Sequence, residues 1–246
     1  KKSGFEYSRK PKDEWLNWKP DKDKHGKFIG LPTWVENDKD WNKLRTRLEN
    51  LMDEGMSGRY WYENSAKKVL EICNYNHELA EKFIRLLAIY SPQQQVAGNT
   101  TLAVKAMVHF LSGKPASTFK VSTSQRDGDA IKVLYENNPH SGRKVGSFYT
   151  NLMHYLTENF PDKYQNLMTD IDALQTIKHP VTNDMWILCA FGYERDSASD
   201  DKGRGKYSAM ENTIKHIAAR YNHKFGLNDN EAWLPHQVQA AIWTAI

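Results

Sequence analysis

The sequence predicts an all-α protein, a globular array of about nine or ten helices. Two observations carry that class. Apolar residues recur at three- and four-residue spacing along most of the chain, and no stretch sustains the alternation of a half-buried strand. Helix start and stop signals also punctuate the sequence, while no repeat and no persistent heptad is visible.

Taken in order, Trp41, Leu44, Leu48 and Leu51 define one apolar face from Asp38 onward, and Glu54-Gly55 closes that helix. Ser65 is the expected cap of a helix carrying Val69, Leu70, Ile72 and Cys73, and the next helix, carrying Leu79, Phe83, Leu86 and Leu87, is expected to begin near Asn76. The latter stops at Ser91-Pro92. A further helix runs from Val96 to Leu111 and ends at Ser112-Gly113-Lys114-Pro115, a Gly-then-Pro stop. FKVSTSQRDGD reads as a loop. Helices are then expected at about 128–136, 143–158, 163–176, 184–192, 206–224 and 235–245, with the polar stretch ERDSASDDKGRGK as a loop between two of them.

A chain of 246 residues with 39% hydrophobic and 12% aromatic residues, eight of them Trp, can bury a sizeable core. The simplest division is a basic N-terminal arm over 1–36 and one helical domain over 37–246. Residues 1–28 hold nine Lys/Arg against five Asp/Glu, which accounts for the whole formal charge of +4. Such an arm can follow a phosphate backbone or stay a solvated tail. Cys73 and Cys189 form no CxxC or Cys/His cluster, so structural zinc and iron–sulfur chemistry are not expected, and no cofactor is implied. The start KKSGFEYSRKPKDEW has no apolar centre and no apolar run nears the roughly 18 residues that cross a bilayer. A soluble, cytoplasmic monomer is the resulting expectation.

Two short stretches hold the candidate chemistry. In Ser141-Gly142-Arg143-Lys144-Val145-Gly146, glycines allow close approach of backbone amides to an oxyanion, the following helix N-terminus adds positive charge, and Arg143 and Lys144 supplement it. The plain alternative is an ordinary helix start. In Pro180-Val181-Thr182-Asn183-Asp184-Met185-Trp186, Asp184 precedes an apolar helix, where a carboxylate is either an N-cap or a group poised to support a cationic sugar or act as a base. Tyr60, Trp61, Tyr62, Tyr149, Trp186 and Trp243 are stacking candidates, although aromatics at helical spacing mostly build core. Lys202, Arg204, Lys206, Lys215, Arg220 and Lys224 form either a second phosphate-facing strip or a solvated helix face.

The order of these segments resembles the helix-hairpin-helix DNA glycosylases, the endonuclease III-like superfamily. Ala88-Ile89-Tyr90-Ser91-Pro92-Gln93-Gln94-Gln95 is similar to that family's Leu-Ser-x-Gln stretch, Pro139-His140-Ser141-Gly142-Arg143-Lys144 to its Pro-Gly-Val-Gly-Arg-Lys hairpin, and Pro180 to Trp186 to its Pro-x-Val-Asp-Thr-His segment. The resemblance covers roughly 65–246. It implies that the protein binds DNA and acts on a base turned out of the duplex. Asp184 would be the catalytic carboxylate and Lys144 the amine nucleophile of the bifunctional members. Gly142, Arg143 and Gly146 would hold a DNA phosphate, Gln93 would probe the gap left by the flipped base, and Trp186 and Tyr149 would line the base pocket.

There are departures from the pattern. His140 replaces the first hairpin glycine, Asn183 stands where an apolar residue usually precedes the Asp, Met185-Trp186 replaces Thr-His, and the interval from Lys144 to Asp184 is longer. The ending Leu234-Pro235-His236-Gln237-Val238-Gln239-Ala240-Ala241-Ile242-Trp243 resembles that of divergent, phage-encoded relatives, some implicated in thymidine hypermodification. N-glycosylase activity is the leading expectation. A DNA base-modifying transferase on the same scaffold and a non-catalytic DNA-binding module are the alternatives, and an unrelated small-molecule hydrolase stands behind them.

Overall fold

The computed structural model describes residues 13–92, 94–138, 142–164, 180–193 and 205–246. The described residues are all-α: ten helices, three short 3-10 turns and no strand beyond one isolated bridge between Lys22 and Phe28. The helices are α1 (Asp13–Leu16), α2 (Asp38–Glu54), α3 (Trp61–Ile72), α4 (His77–Tyr90), α5 (Val96–Leu111), α6 (Ser124–Tyr135), α7 (Arg143–Asn159), α8 (Met185–Phe191), α9 (Lys206–Phe225) and α10 (Pro235–Thr244). No helix among the described residues is long and apolar enough to cross a membrane.

The chain divides into two compact units, one made of Lys1–Trp61 with Asn183–Ile246 and the other of Tyr62–Thr182. In the first, α2 packs against α8, α9 and α10, and α1 packs on α9. The expected face of α2 is largely as the spacing predicts, with Trp41, Leu44 and Leu48 buried, and Met52 rather than Leu51 completes it. Asn37 caps the start through its side-chain oxygen. Gly55 follows the end, and a Cβ there would fall on the carbonyl of Ala241 in α10. At Gly58 it would meet Thr244 and the Ala240 carbonyl. These two glycines let α10 lie against the backbone after α2. Pro235 starts α10, where its missing N–H costs nothing, and the Gln237 side chain accepts the Leu234 amide at 3.0 Å.

The second unit is organised around α4, which packs against α5, α6 and α7. Ten of its fourteen residues are buried, as a helix covered on most of its sides requires. It starts where the sequence predicts, and Asn76 caps it, accepting the Leu79 amide at 3.1 Å. The end of α5 also matches, with Gly113 at φ +66° just beyond it.

Two local expectations are corrected. Ser65 lies inside α3 and does not cap it, because the helix starts at Trp61 and buries Tyr62 edge-on against Phe148, with ring centroids 5.9 Å apart. FKVSTSQRDGD is only half a loop, since α6 begins at Ser124. The reason is Asp127, whose buried carboxylate accepts the amides of Val121 and Ser122 at 2.9–3.0 Å and the Tyr90 hydroxyl at 3.2 Å. That side chain ties the preceding loop to the first turn of the helix. The helix expected at 163–176 and the loop at 194–206 fall almost wholly outside the described residues.

Charged residues also enter the interiors. In α9, Lys215 is 6% exposed and pairs with Glu211 at 3.2 Å, with the Trp15 ring 5.4 Å from its ammonium. Lys215 therefore does not belong to an outward phosphate-facing strip. His216 is buried against Trp18 and Trp41 and bonds the Trp15 carbonyl through Nδ1 at 2.8 Å. Burial pushes its pKa below the ordinary 6.5; the Trp15 carbonyl opposes this, Arg220 and Arg45 add to it, and Glu49 opposes it.

Two outcomes follow from this packing. Gly55→Ala drives a methyl into the Ala241 carbonyl and is expected to cost about 1–3 kcal/mol, read as a lower urea midpoint with unchanged slope. His216, neutral when folded, keeps its full contribution above about pH 6.5 and loses it as pH falls toward its lower folded value, because the unfolded chain binds the extra proton. Urea midpoints between pH 7.5 and 5 should fall, and His216→Gln should flatten that fall.

Candidate functional site

Asp184 sits at the N-cap of α8 with extended backbone, and its Oδ1 accepts the amides of Trp186 and Ile187, each at 3.0 Å. This is the local structural role expected of an Asp before an apolar helix. The carboxylate is half-buried, Met185 is exposed and Trp186 is half-buried. The helix behind is anchored by Ile187, Leu188, Ala190 and Phe191, all buried, and stops at Gly192 with φ +83°. A Cβ on Gly192 would meet the Trp34 indole nitrogen at 2.8 Å.

The residue before Asp184 is fully buried. The Asn183 backbone amide donates to the Tyr207 hydroxyl at 3.4 Å, and its Nδ2 donates to the Tyr207 carbonyl at 3.2 Å. Its Oδ1 has no partner among the described residues. An apolar residue at 183 would lack the side-chain clamp that orients the segment carrying Asp184. Tyr207 was not legible as a positioning residue, because nothing in KYSAMEN marks which face of that helix turns toward Asn183.

On the other unit, Thr182 precedes this stretch and its hydroxyl accepts Nδ2 of Asn151 from α7 at 3.1 Å. The start of α7 is glycine-capped: Gly142 precedes it with φ 160° and ψ 127° and supplies no side-chain cap. Arg143 is exposed and Lys144 half-buried, both in the first turn. Gly146 is buried, and its amide donates to the Gly142 carbonyl at 2.7 Å as the first bond of the helix. The amides ahead of it, at 143–145, are those that an intrahelical bond cannot satisfy. Pro139, His140 and Ser141 lie outside the described residues, as does Gln93.

Further along α7, Tyr149 is 4% exposed and donates its hydroxyl to Glu81 Oε1 at 2.7 Å. Arg85 donates to the same oxygen and stacks its guanidinium 4.8 Å from the Tyr149 ring centre. Tyr149 thus belongs to a buried hydrogen-bonded network inside the second unit. The other aromatic candidates divide similarly: Trp61 packs on Trp243 with centroids 5.5 Å apart, Tyr62 is core, and Tyr60 is 47% exposed beside Arg59.

The candidate residues therefore form two groups, Gly142, Arg143, Lys144, Gly146 and Tyr149 on the second unit and Asp184 and Trp186 on the first. No group of three or more His, Cys, Asp or Glu side chains among the described residues is arranged to hold a metal ion. No family model matches the chain, and no curated protein or solved structure does either.

The capping role of Asp184 has a measurable size. Asp184→Ala is expected to lower stability by about 1 kcal/mol, whereas Asp184→Asn changes it by only a few tenths, since Asn caps nearly as well. Urea unfolding of the two variants checks this, and equal losses would show that the charge itself is needed.

Proposed function

We propose that this chain is a DNA-binding enzyme acting on an extruded base, in the manner of the helix-hairpin-helix glycosylases, most simply as an N-glycosylase. The observation that carries the reading is the start of α7, where a glycine cap, Arg143 and Lys144 combine with the positive end of a seventeen-residue helix. Such an end receives a phosphate through backbone amides and cations together. Asp184, held at a second helix start by two amides, is the carboxylate that would stabilise positive charge developing on the deoxyribose. Lys144 would contact phosphate or, if kept neutral, attack the sugar carbon and form a covalent intermediate while the base leaves. Trp186, half-buried two residues beyond Asp184, would keep the pocket role that the resemblance implies, whereas Tyr149 is buried and held by Glu81.

The capping bonds of Asp184 also favour a second reading, a DNA-binding module in which the carboxylate only starts a helix. A base-modifying transferase would use the same carboxylate as a proton acceptor for an incoming amine. The expected outcome for the glycosylase is a free base and an alkali-labile site when end-labelled duplexes with normal, damaged or hypermodified bases are incubated with the protein. Asp184→Asn should abolish release and keep binding. An intact backbone bearing a base of altered mass would instead identify the transferase, and binding with no chemistry on any duplex the module.

A further inference from the structure

The N-terminal segment contains a small, well-defined hairpin that the reading above leaves without a role. Lys22 and Phe28 pair as an antiparallel bridge, the Asp23 amide donates to the Lys27 carbonyl at 2.8 Å, and the Ile29 amide donates to the Asp21 carbonyl at 2.8 Å. The three-residue loop Lys24-His25-Gly26 closes it. The Gly26 amide donates to the Asp23 carbonyl at 2.9 Å, and Gly26 takes φ +79°, the left-handed conformation such loops need at that place. Asp23 Oδ1 accepts the amides of His25 at 2.8 Å and Lys27 at 3.0 Å. Those amides, Lys27 first, hold its carboxyl below the usual range.

The base of the hairpin is tied down and its tip is exposed. Lys22 lies 4.5 Å from the Phe28 ring centre and reaches Asp38 of α2 at 3.0 Å. Tyr193 donates its hydroxyl to the Gly30 carbonyl, and a Cβ on Gly30 would lie 2.5 Å from the Gly205 carbonyl oxygen. Residues 21–27 are all exposed, and none of the described residues lies within 4 Å of the position a Gly26 Cβ would take. Residues 19–27 carry four lysines against two aspartates. One of those aspartates is turned into the loop, so Lys24 and Lys27 dominate the tip.

We infer that the hairpin over 21–29 is a second DNA contact, whose exposed Lys24 and Lys27 meet the phosphate backbone of a duplex. The inference rests on the DNA reading above. Contacts to phosphate need exposed cations on a narrow, accessible projection, which this tip supplies without demanding base readout. An anionic membrane is the poorer match, because an interfacial anchor needs apolar side chains beside its cations and the tip at 24–27 has none.

The test is anisotropy of a fluorescein-labelled duplex titrated with wild type, Lys24→Gln/Lys27→Gln and Gly26→Val over a range of salt. The lysine pair variant should weaken binding and make log Kd less steep in log salt by about 2, near 0.9 for each phosphate that is no longer neutralised. Gly26→Val keeps every charge but cannot hold φ +79°, and it should also weaken binding while the melting temperature hardly moves. Unchanged affinity and slope in both variants, with wild type still binding, would remove the hairpin and leave the DNA reading standing. An equal loss on phosphatidylcholine vesicles containing phosphatidylserine would make the tip a general anion surface and overturn the inference. Absence of wild-type duplex binding would overturn both.

Discussion

Close backbone approach at Gly55 and Gly58 is the constraint on which the first unit depends. It is assembled from both ends of the described chain, and α10 packs against α2 from the first segment as well as α8 and α9 from the second. At these two glycines the C-terminal helix comes so near that a methyl group would strike its carbonyls or Thr244. With α10 in place, α2 and α9 have a common partner and Val238, Ala241 and Ile242 are fully enclosed. The segment bearing Asp184 is positioned in this same unit, since α8 packs against both α2 and α10. The carboxylate is therefore held by a frame whose tightest contact lies in a distant part of the sequence.

The second unit solves a different problem. A helix buried on most sides must satisfy any polar group it carries, because an unpaired charge in an apolar interior is costly. In α4, Glu81 receives both Arg85 and the Tyr149 hydroxyl, which fixes α7 against α4 at one turn. Asp127 plays a similar part for α6. Breaking one member of such a network strands the others, so these buried groups define the arrangement more sharply than apolar contacts alone.

Much of the helical order was legible because it rests on local rules. The face of α2, the start of α4 near Asn76, the span of α5 and the Pro235 start all follow from spacing and helix-terminus chemistry that tertiary structure leaves in force. The failures have different causes. At Trp61, burial of Tyr62 against Phe148 extended the helix upstream of a good cap. At Ser124, the Asp127 carboxylate inside the helix gathers the amides of the loop before it and the Tyr90 hydroxyl, and at Lys215 a pair with Glu211 one turn earlier accompanies burial of the cation. Of these partners only Phe148 and Tyr90 lie far along the chain. Of the candidate site, the N-cap geometry of Asp184 and the glycine-capped start of α7 were readable, whereas the Tyr207 clamp on Asn183 and the Glu81 partner of Tyr149 depend on side chains far along the chain.

Under the proposed function a base is drawn out of a duplex, and the cationic start of α7 is the part that would hold its backbone. The most direct measurement is the fluorescence of duplexes carrying 2-aminopurine beside damaged or hypermodified bases, because this base brightens when its stacking neighbour is removed. The account predicts a rise on binding that survives Asp184→Asn and disappears when Arg143 and Lys144 are both replaced by Gln. Saturated binding with no change in fluorescence at any position would contradict it.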